Sequence, residues 1–102
     1  MIYQLRVYIP NRGMMDEWVK FFNETLIPIQ EKFGIKVEHA WATEDNHFVW
    51  VRSFADAEDM ETRQEALYGS PDWAAVTDKA QSFHATGYIK TMESVLRSPG
   101  KP

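Results

Sequence analysis

Ile35-Lys36-Val37-Glu38-His39-Ala40-Trp41-Ala42-Thr43, the polar Glu44-Asp45-Asn46-His47, and Phe48-Val49-Trp50-Val51-Arg52-Ser53-Phe54 together decide the fold. The two flanking stretches are rich in Val, Phe and Trp, the residues that suit a pleated, half-buried surface. The linker between them fits an antiparallel hairpin and is too short for a parallel crossover. Loop length then sets which side chains share a face. A three-residue loop groups His39 and Trp41 with Val49 and Val51. A four-residue loop sets His39 opposite Arg52 and Trp41 opposite Trp50. The small Ala40 and Ala42 fit against the bulk of Phe48 and Trp50, which favours the shorter loop and puts His39 and Arg52 on opposite faces.

Upstream, Ile2 to Ile9 alternates, with Tyr3, Leu5, Val7 and Ile9 on one side and Gln4, Arg6 and Tyr8 on the other, as a strand does. Pro10-Asn11-Arg12-Gly13 is a turn by residue type. From Met14 to Phe33, Met15, Trp18, Phe22, Thr25, Leu26, Ile29 and Phe33 recur at three and four, the stripe of a helix lying on a sheet. Gly34 closes that helix and Pro28 kinks or breaks it. Downstream, Asp56 caps a thin, exposed helix that runs to about Tyr68. Ser70-Pro71-Asp72 starts a further short helix carrying Trp73, Val76, Ala80 and Phe83. Thr86 to Leu96 reads as a last strand. Residues 1–97 form the expected domain, and 98–102, with its Pro and Gly, a flexible tail.

The order is βαββα(α)β. Right-handed crossovers put both helices on one face of a four-stranded antiparallel sheet, the ferredoxin-like α+β arrangement. The other face is then bare, and if the apolar side of the first strand meets the helices it presents Ile2, Gln4, Arg6 and Tyr8 there. Apolar residues on both sides of the other strands make that face larger than a monomer usually exposes. A homodimer pairing through the sheet, closed into an eight-stranded α+β barrel, removes both the patch and the strand edges.

Composition excludes several classes of function. In 102 residues the chain has 44% hydrophobic and 14% aromatic side chains and a net charge of −4, enough for one core and too little for two. Its eleven basic residues are scattered, which leaves no footprint for nucleic acid or an acidic membrane. No cysteine is present, so thiolate chemistry and Cys-based metal sites are absent. The longest apolar run, Phe48 to Val51, cannot span a membrane, and a cytoplasmic protein is expected.

Three histidines, at 39, 47 and 84, show no metal-chelating spacing, so neither a metal nor another cofactor is expected. His47 reads as a solvated turn residue. His84 opens the last strand, where a backbone-bonded histidine is the ordinary case and a base the sharper one. His39, beside Trp41 in mid-strand, is the other candidate base. The aromatic and arginine set carries most of the signal. Tyr3, Trp18, Trp41, Trp50, Arg52 and Trp73 offer flat apolar walls with a few polar handles, as ligand pockets do. The same residue types also fill cores and dimer interfaces.

Four segments in this order resemble the NIPSNAP family: Ile2 to Tyr8, Leu26 to Lys32 followed by Gly34, Phe48 to Arg52 ending at Phe54, and Tyr68-Gly69-Ser70-Pro71-Asp72-Trp73. Tyr3, Arg6, Tyr8, Trp50, Arg52, Tyr68 and Trp73 match its pattern. The resemblance implies the dimeric α+β barrel superfamily and a single domain of the bacterial kind. It brings no agreed catalytic set, although small monooxygenases acting on polyketide quinols or haem share that barrel. Three functions follow as expectations. The first is a homodimer binding a small apolar or aromatic molecule between sheet and helices, walled by Trp18, Trp41, Trp50 and Tyr3. The second is a cofactor-independent monooxygenase with His39 or His84 as base, and the third a non-catalytic assembly module.

Overall fold

The computed structural model describes residues 1–95. Four strands, β1 (Ile2–Pro10), β2 (Lys36–Ala42), β3 (Phe48–Phe54) and β4 (His84–Met92), form one antiparallel sheet in the order β2-β3-β1-β4. Between β1 and β2 run α1 (Met15–Phe21), a π-helical stretch Phe22–Leu26, and α2 (Ile27–Lys32). Between β3 and β4 run α3 (Ala57–Tyr68), α4 (Pro71–Ala74) and α5 (Thr77–Ser82). This is the ferredoxin-like α+β fold. Leu96, expected in the last strand, the boundary at 97 and the tail at 98–102 lie outside the described residues.

The hairpin takes the shorter loop. The Thr43 amide donates to the His47 carbonyl at 2.8 Å and encloses Glu44-Asp45-Asn46, with Asn46 in the left-handed region at φ 68°. Ala40 therefore pairs with Trp50, Ala42 with Phe48, His39 with Val51 and Trp41 with Val49. A bulge between Val37 and His39 leaves Glu38 free to accept a bond from the Ser53 hydroxyl at 2.8 Å.

One expectation is reversed. The helices cover the Gln4, Arg6, Tyr8 side of β1, and the apolar Tyr3, Leu5, Val7, Ile9 side faces away. The cause lies in β3. Phe48, Trp50, Arg52 and Phe54 are nearly inaccessible, and pairing sets them beside Tyr8, Arg6, Gln4 and Ile2. The aromatic side of β3 has far more area to remove from water than Val49 and Val51, so β3 chooses the buried face and β1 follows it.

The first helical segment breaks before Pro28 rather than at it. The Ile27 amide bonds the Phe22 carbonyl, a five-residue step, so the widened turn precedes the proline and accommodates its missing N–H. Side chains four apart drift around an α-helix by about 40° per step. The π stretch takes up that drift, and Trp18, Phe22, Leu26 and Gln30 all end buried against the sheet. Phe21 and Gln30 thereby replace Ile29 and Phe33 as the most buried positions of the stripe. The expected single helix after Ser70 divides at Ala75 and Val76 into α4 and α5. Both predicted caps form: Asp56 accepts from the Asp59 amide at 2.8 Å, and Ser70 from the Trp73 amide at 3.1 Å. Gly34 sits at φ 71°, as a helix-ending glycine should.

The larger core is Trp18, Phe21, Phe22, Leu26, Phe48, Trp50, Ala80 and Phe83, and a smaller one joins Ile35, Phe54 and Leu67. Among the described residues no helix is long and apolar enough to cross a membrane.

Candidate site between the sheet and the helices

The two cores do not meet completely. Beside the larger one lies a cavity of about 210 Å³, walled by Arg6 and Tyr8 of β1, Trp50 of β3, His84 at the start of β4, and Trp18, Leu26, Gln30, Tyr68, Trp73, Ala80 and Gln81 from the helical side. Trp18 is held at the centre of the aromatic packing, edge-on to Tyr8 at 5.8 Å and to Phe48 at 5.5 Å. Tyr68 and Trp73 meet edge to face at 5.3 Å on the helical wall. The volume is below the ~300–1,000 Å³ of drug-sized sites and suits a molecule of one or two rings.

Three buried nitrogens of residues that line it have no hydrogen-bond partner among the described residues: Trp18 Nε1, Trp50 Nε1 and His84 Nε2. An unmade buried bond costs about 1–3 kcal/mol, and three around one cavity mark it as a place built for polar contact. His84 stacks on Tyr8 at 4.3 Å and meets Trp18 edge-on at 4.2 Å. Burial, and then the Arg6 charge, lower its pKa to about 4, so its ring is neutral near pH 7. The backbone-bonded histidine expected here is not what forms at Nε2. Gly87 faces Tyr8 across the β1–β4 pair, and a Cβ there would come within 2.4 Å of the Val7 carbonyl oxygen and 3.0 Å of the Tyr8 ring. Only glycine lets β4 close in beside that ring.

Arginine chemistry lies behind the wall. Arg52 is fully buried, and among the described residues it donates to three glutamine carbonyl oxygens: Gln4 from Nε at 3.2 Å, Gln30 from Nη1 at 3.0 Å and Gln64 from Nη2 at 2.6 Å. Burial lowers its pKa, with the Tyr68 phenol opposing and Arg6 adding to that shift. Arg6 donates through Nη1 to the same Gln4 oxygen at 2.9 Å and through Nε to the Tyr8 hydroxyl at 2.8 Å. It also lies 5.6 Å from the Trp50 ring centroid. Gln4, Gln30 and Gln64 prove to be the cage of a buried cation.

Of the sequence-predicted residues, Trp18, Trp50, Trp73 and His84 line the cavity and Arg52 stands behind it. Tyr3 and Trp41 do not wall it, as expected of them, because both lie on the opposite face, beside Ser53 and Val49 respectively. His39 is there as well, 4.6 Å from the Trp41 ring. Arg6, Tyr8, Gln30 and Tyr68 complete the wall. The pairing of Arg6 with Trp50 and of Tyr8 with Phe48 was the signal available for two of them. Among the described residues no group of three or more His, Asp or Glu side chains is arranged to hold a metal ion.

The chain matches the NIPSNAP family over residues 3–100. No functionally curated protein matches it in sequence. A NIPSNAP family protein of unknown function from Agrobacterium tumefaciens is similar at 22% identity and a TM-score of 0.88, covering 97% of this chain and 92% of its own. An uncharacterized NIPSNAP domain protein from Burkholderia xenovorans is similar at 17% identity and a TM-score of 0.85, covering 100% and 99%. An antibiotic biosynthesis monooxygenase shares the fold at 11% identity and a TM-score of 0.69, covering 94% of this chain and 100% of its own.

Proposed function

The chain belongs to the NIPSNAP family, and from that premise and its cavity we propose a homodimeric protein that binds a small aromatic molecule between sheet and helices. The observation that carries this reading is a cavity of about 210 Å³ walled by Tyr8, Trp50, Tyr68 and Trp73, with the Arg6 and His84 side chains among its lining. A planar ring bearing polar atoms stacks on the aromatic walls and reaches the polar groups among them. Titrating one- and two-ring aromatic molecules while following tryptophan emission should give a saturable quench that Trp50→Phe weakens. A linear response to every such molecule up to millimolar concentration would remove the reading.

The homodimer rests on the opposite face. Tyr3, Leu5, Ile9, Val49, Val51, Trp41 and Tyr88 form an apolar surface there, with Trp41 49% and Tyr88 54% exposed and Val7 buried among them. At strand and sheet spacings it measures roughly 25 Å by 19 Å, about the largest apolar patch a monomer keeps. β4 is bare on both faces and along one edge, with Ile89 48% exposed on its other side. A second copy of the same sheet covers the patch and the edge together. Light scattering should find a particle of twice 11.9 kDa at micromolar concentration.

A second reading has one observation in its favour, the neutral His84 ring inside the cavity. As a base His84 would take a proton from an electron-rich phenol or anthrone. The resulting anion supplies the electrons to O₂, one oxygen atom entering the ring carbon as a carbonyl and the other leaving as water. The monooxygenase with this fold is too distant in sequence to add more than the fold. Oxygen uptake with hydroquinones or anthrones, lost in His84→Ala, is the test, and an unchanged rate in that variant would discard His84 as base.

A further inference from the structure

We propose that the ligand of the sheet–helix cavity is an anion, a planar ring carrying a carboxylate or similar oxyanion that settles against the Arg6 guanidinium. The inference rests on the cavity-binding reading and adds the charge of what is bound.

Charge is the first argument. The chain has 15 acidic residues against 11 basic ones, yet none of the residues lining the cavity is Asp or Glu. Arg6 lines it and Arg52 lies behind its wall, the two joined through a single oxygen: Gln4 Oε1 accepts from both. The three ion pairs among the described residues, Lys32–Asp72, Lys36–Glu38 and Arg63–Asp59, are all elsewhere. The buried Arg52 charge has glutamine oxygens and aromatic faces around it among the described residues, which supply dipoles and quadrupoles and no opposing charge. An anion in the cavity supplies it.

The donor census points the same way. Trp18 and Trp50 offer N–H groups that can only donate, and a guanidinium also only donates. Among the described residues Arg6 uses Nε and Nη1 on Tyr8 and Gln4, which leaves its Nη2 edge without a protein partner. The cavity thus holds one charged donor group with a free edge, the Arg6 guanidinium, while the acceptors on its wall, from Tyr8, Tyr68, Gln30, Gln81 and His84, are uncharged. A ligand rich in acceptors fits this wall, and a carboxylate accepts from two neighbouring donors at once. The flat walls of Trp50, Trp73 and Tyr8 then take the ring that bears it.

Benzoate, 1-naphthoate and their uncharged amides, titrated into the intact protein with tryptophan emission as readout, separate the charge from the ring. Each carboxylate should bind at least tenfold more tightly than its amide. That preference should vanish in Arg6→Gln, survive in part in Arg6→Lys, and shrink with added salt. Circular dichroism of both variants establishes that they fold, and Trp50→Phe, which keeps a ring and loses the donor, gives an independent weakening of several-fold. Equal binding of acid and amide would overturn the anion and leave the cavity-binding reading standing. Binding of neither would overturn both.

Discussion

The two faces of this sheet invert the usual relation between polarity and burial. On the helix side of β1, Gln4 is buried, Arg6 and Tyr8 are half-buried, and their neighbour Arg52 on β3 is wholly inaccessible. On the other side, Tyr3, Leu5, Ile9, Val49 and Val51 are left partly open to water in the single chain. Polar residues buried at a cost mark chemistry, and apolar residues left wet mark an interface. The contrast therefore assigns two tasks to two surfaces of one four-stranded layer, and each prediction below attacks that division.

Tryptophan truncation has the largest expected effect, because the helix side holds Trp18, Trp50 and Trp73 while the outer face holds Trp41. Trp18→Ala empties the centre of the larger core and should cost about 3–5 kcal/mol in urea unfolding. Trp41→Ala removes a side chain that is 49% exposed in the single chain. At concentrations where the protein is monomeric its cost should stay below about 1 kcal/mol, rising as the dimer forms. Equal costs at all concentrations would end the distinction between the faces.

A charge placed on the outer face comes next. Val51→Asp lies opposite Leu5 and His39, away from the cavity. If a second copy covers this face, an unpaired carboxylate there should shift light scattering from the dimer to the single chain, a penalty of about 2 kcal/mol or more. On a face that stays in water, the same change should fall within about 0.5 kcal/mol and leave the mass unaltered.

The pH response belongs to the cavity face. His84 titrates near 4 in the folded chain, below its ordinary 6.5, chiefly through burial and then through Arg6. Between those values the unfolded chain binds more protons than the folded one, so stability rises with pH through the window and is lost as pH falls from 6.5 toward 4. His84→Phe keeps the stack on Tyr8 and Trp18 and removes the titration. Chemical denaturation at pH 7 and pH 4.5 should show a smaller acid loss in the variant than in the parent chain. An identical loss in both would mean that His84 is not buried against its neighbours as described.

Much of this was legible in the sequence, and the part that was not has a definite cause. The βαββαβ order, both helix caps and the hairpin register follow from local signals: alternation, Asp56 and Ser70 at helix starts, and small alanines opposite Phe48 and Trp50. The face of β1 did not follow, because alternation tells which residues share a side and not which side goes inward. That choice was made by β3, a strand 40 residues away, whose aromatic side outweighed the alkyl side of β1. The cage of Gln4, Gln30 and Gln64 was hidden for the same reason. Each glutamine looks like a solvated position in its own element, and only the tertiary fold brings the three amides to Arg52. Gln30 also needed the π stretch to turn it inward, a register change that no single residue type announces.

The smallest effect is expected at His39, and it is the sharpest check on the division because it was the other candidate base. His39 pairs with Val51 and leans on Trp41 at 4.6 Å, with the whole sheet between it and the cavity. Any influence on a ligand would have to pass through β3, whose alternating side chains keep Val51 and Arg52 on opposite sides. His39→Ala should accordingly change single-chain stability by no more than about 0.5 kcal/mol and alter the affinity for aromatic molecules less than twofold, while His84→Ala changes it severalfold. A tenfold loss of binding in His39→Ala would show that the sheet does not insulate its two faces, and the exposed apolar side would then have to be counted as part of the site.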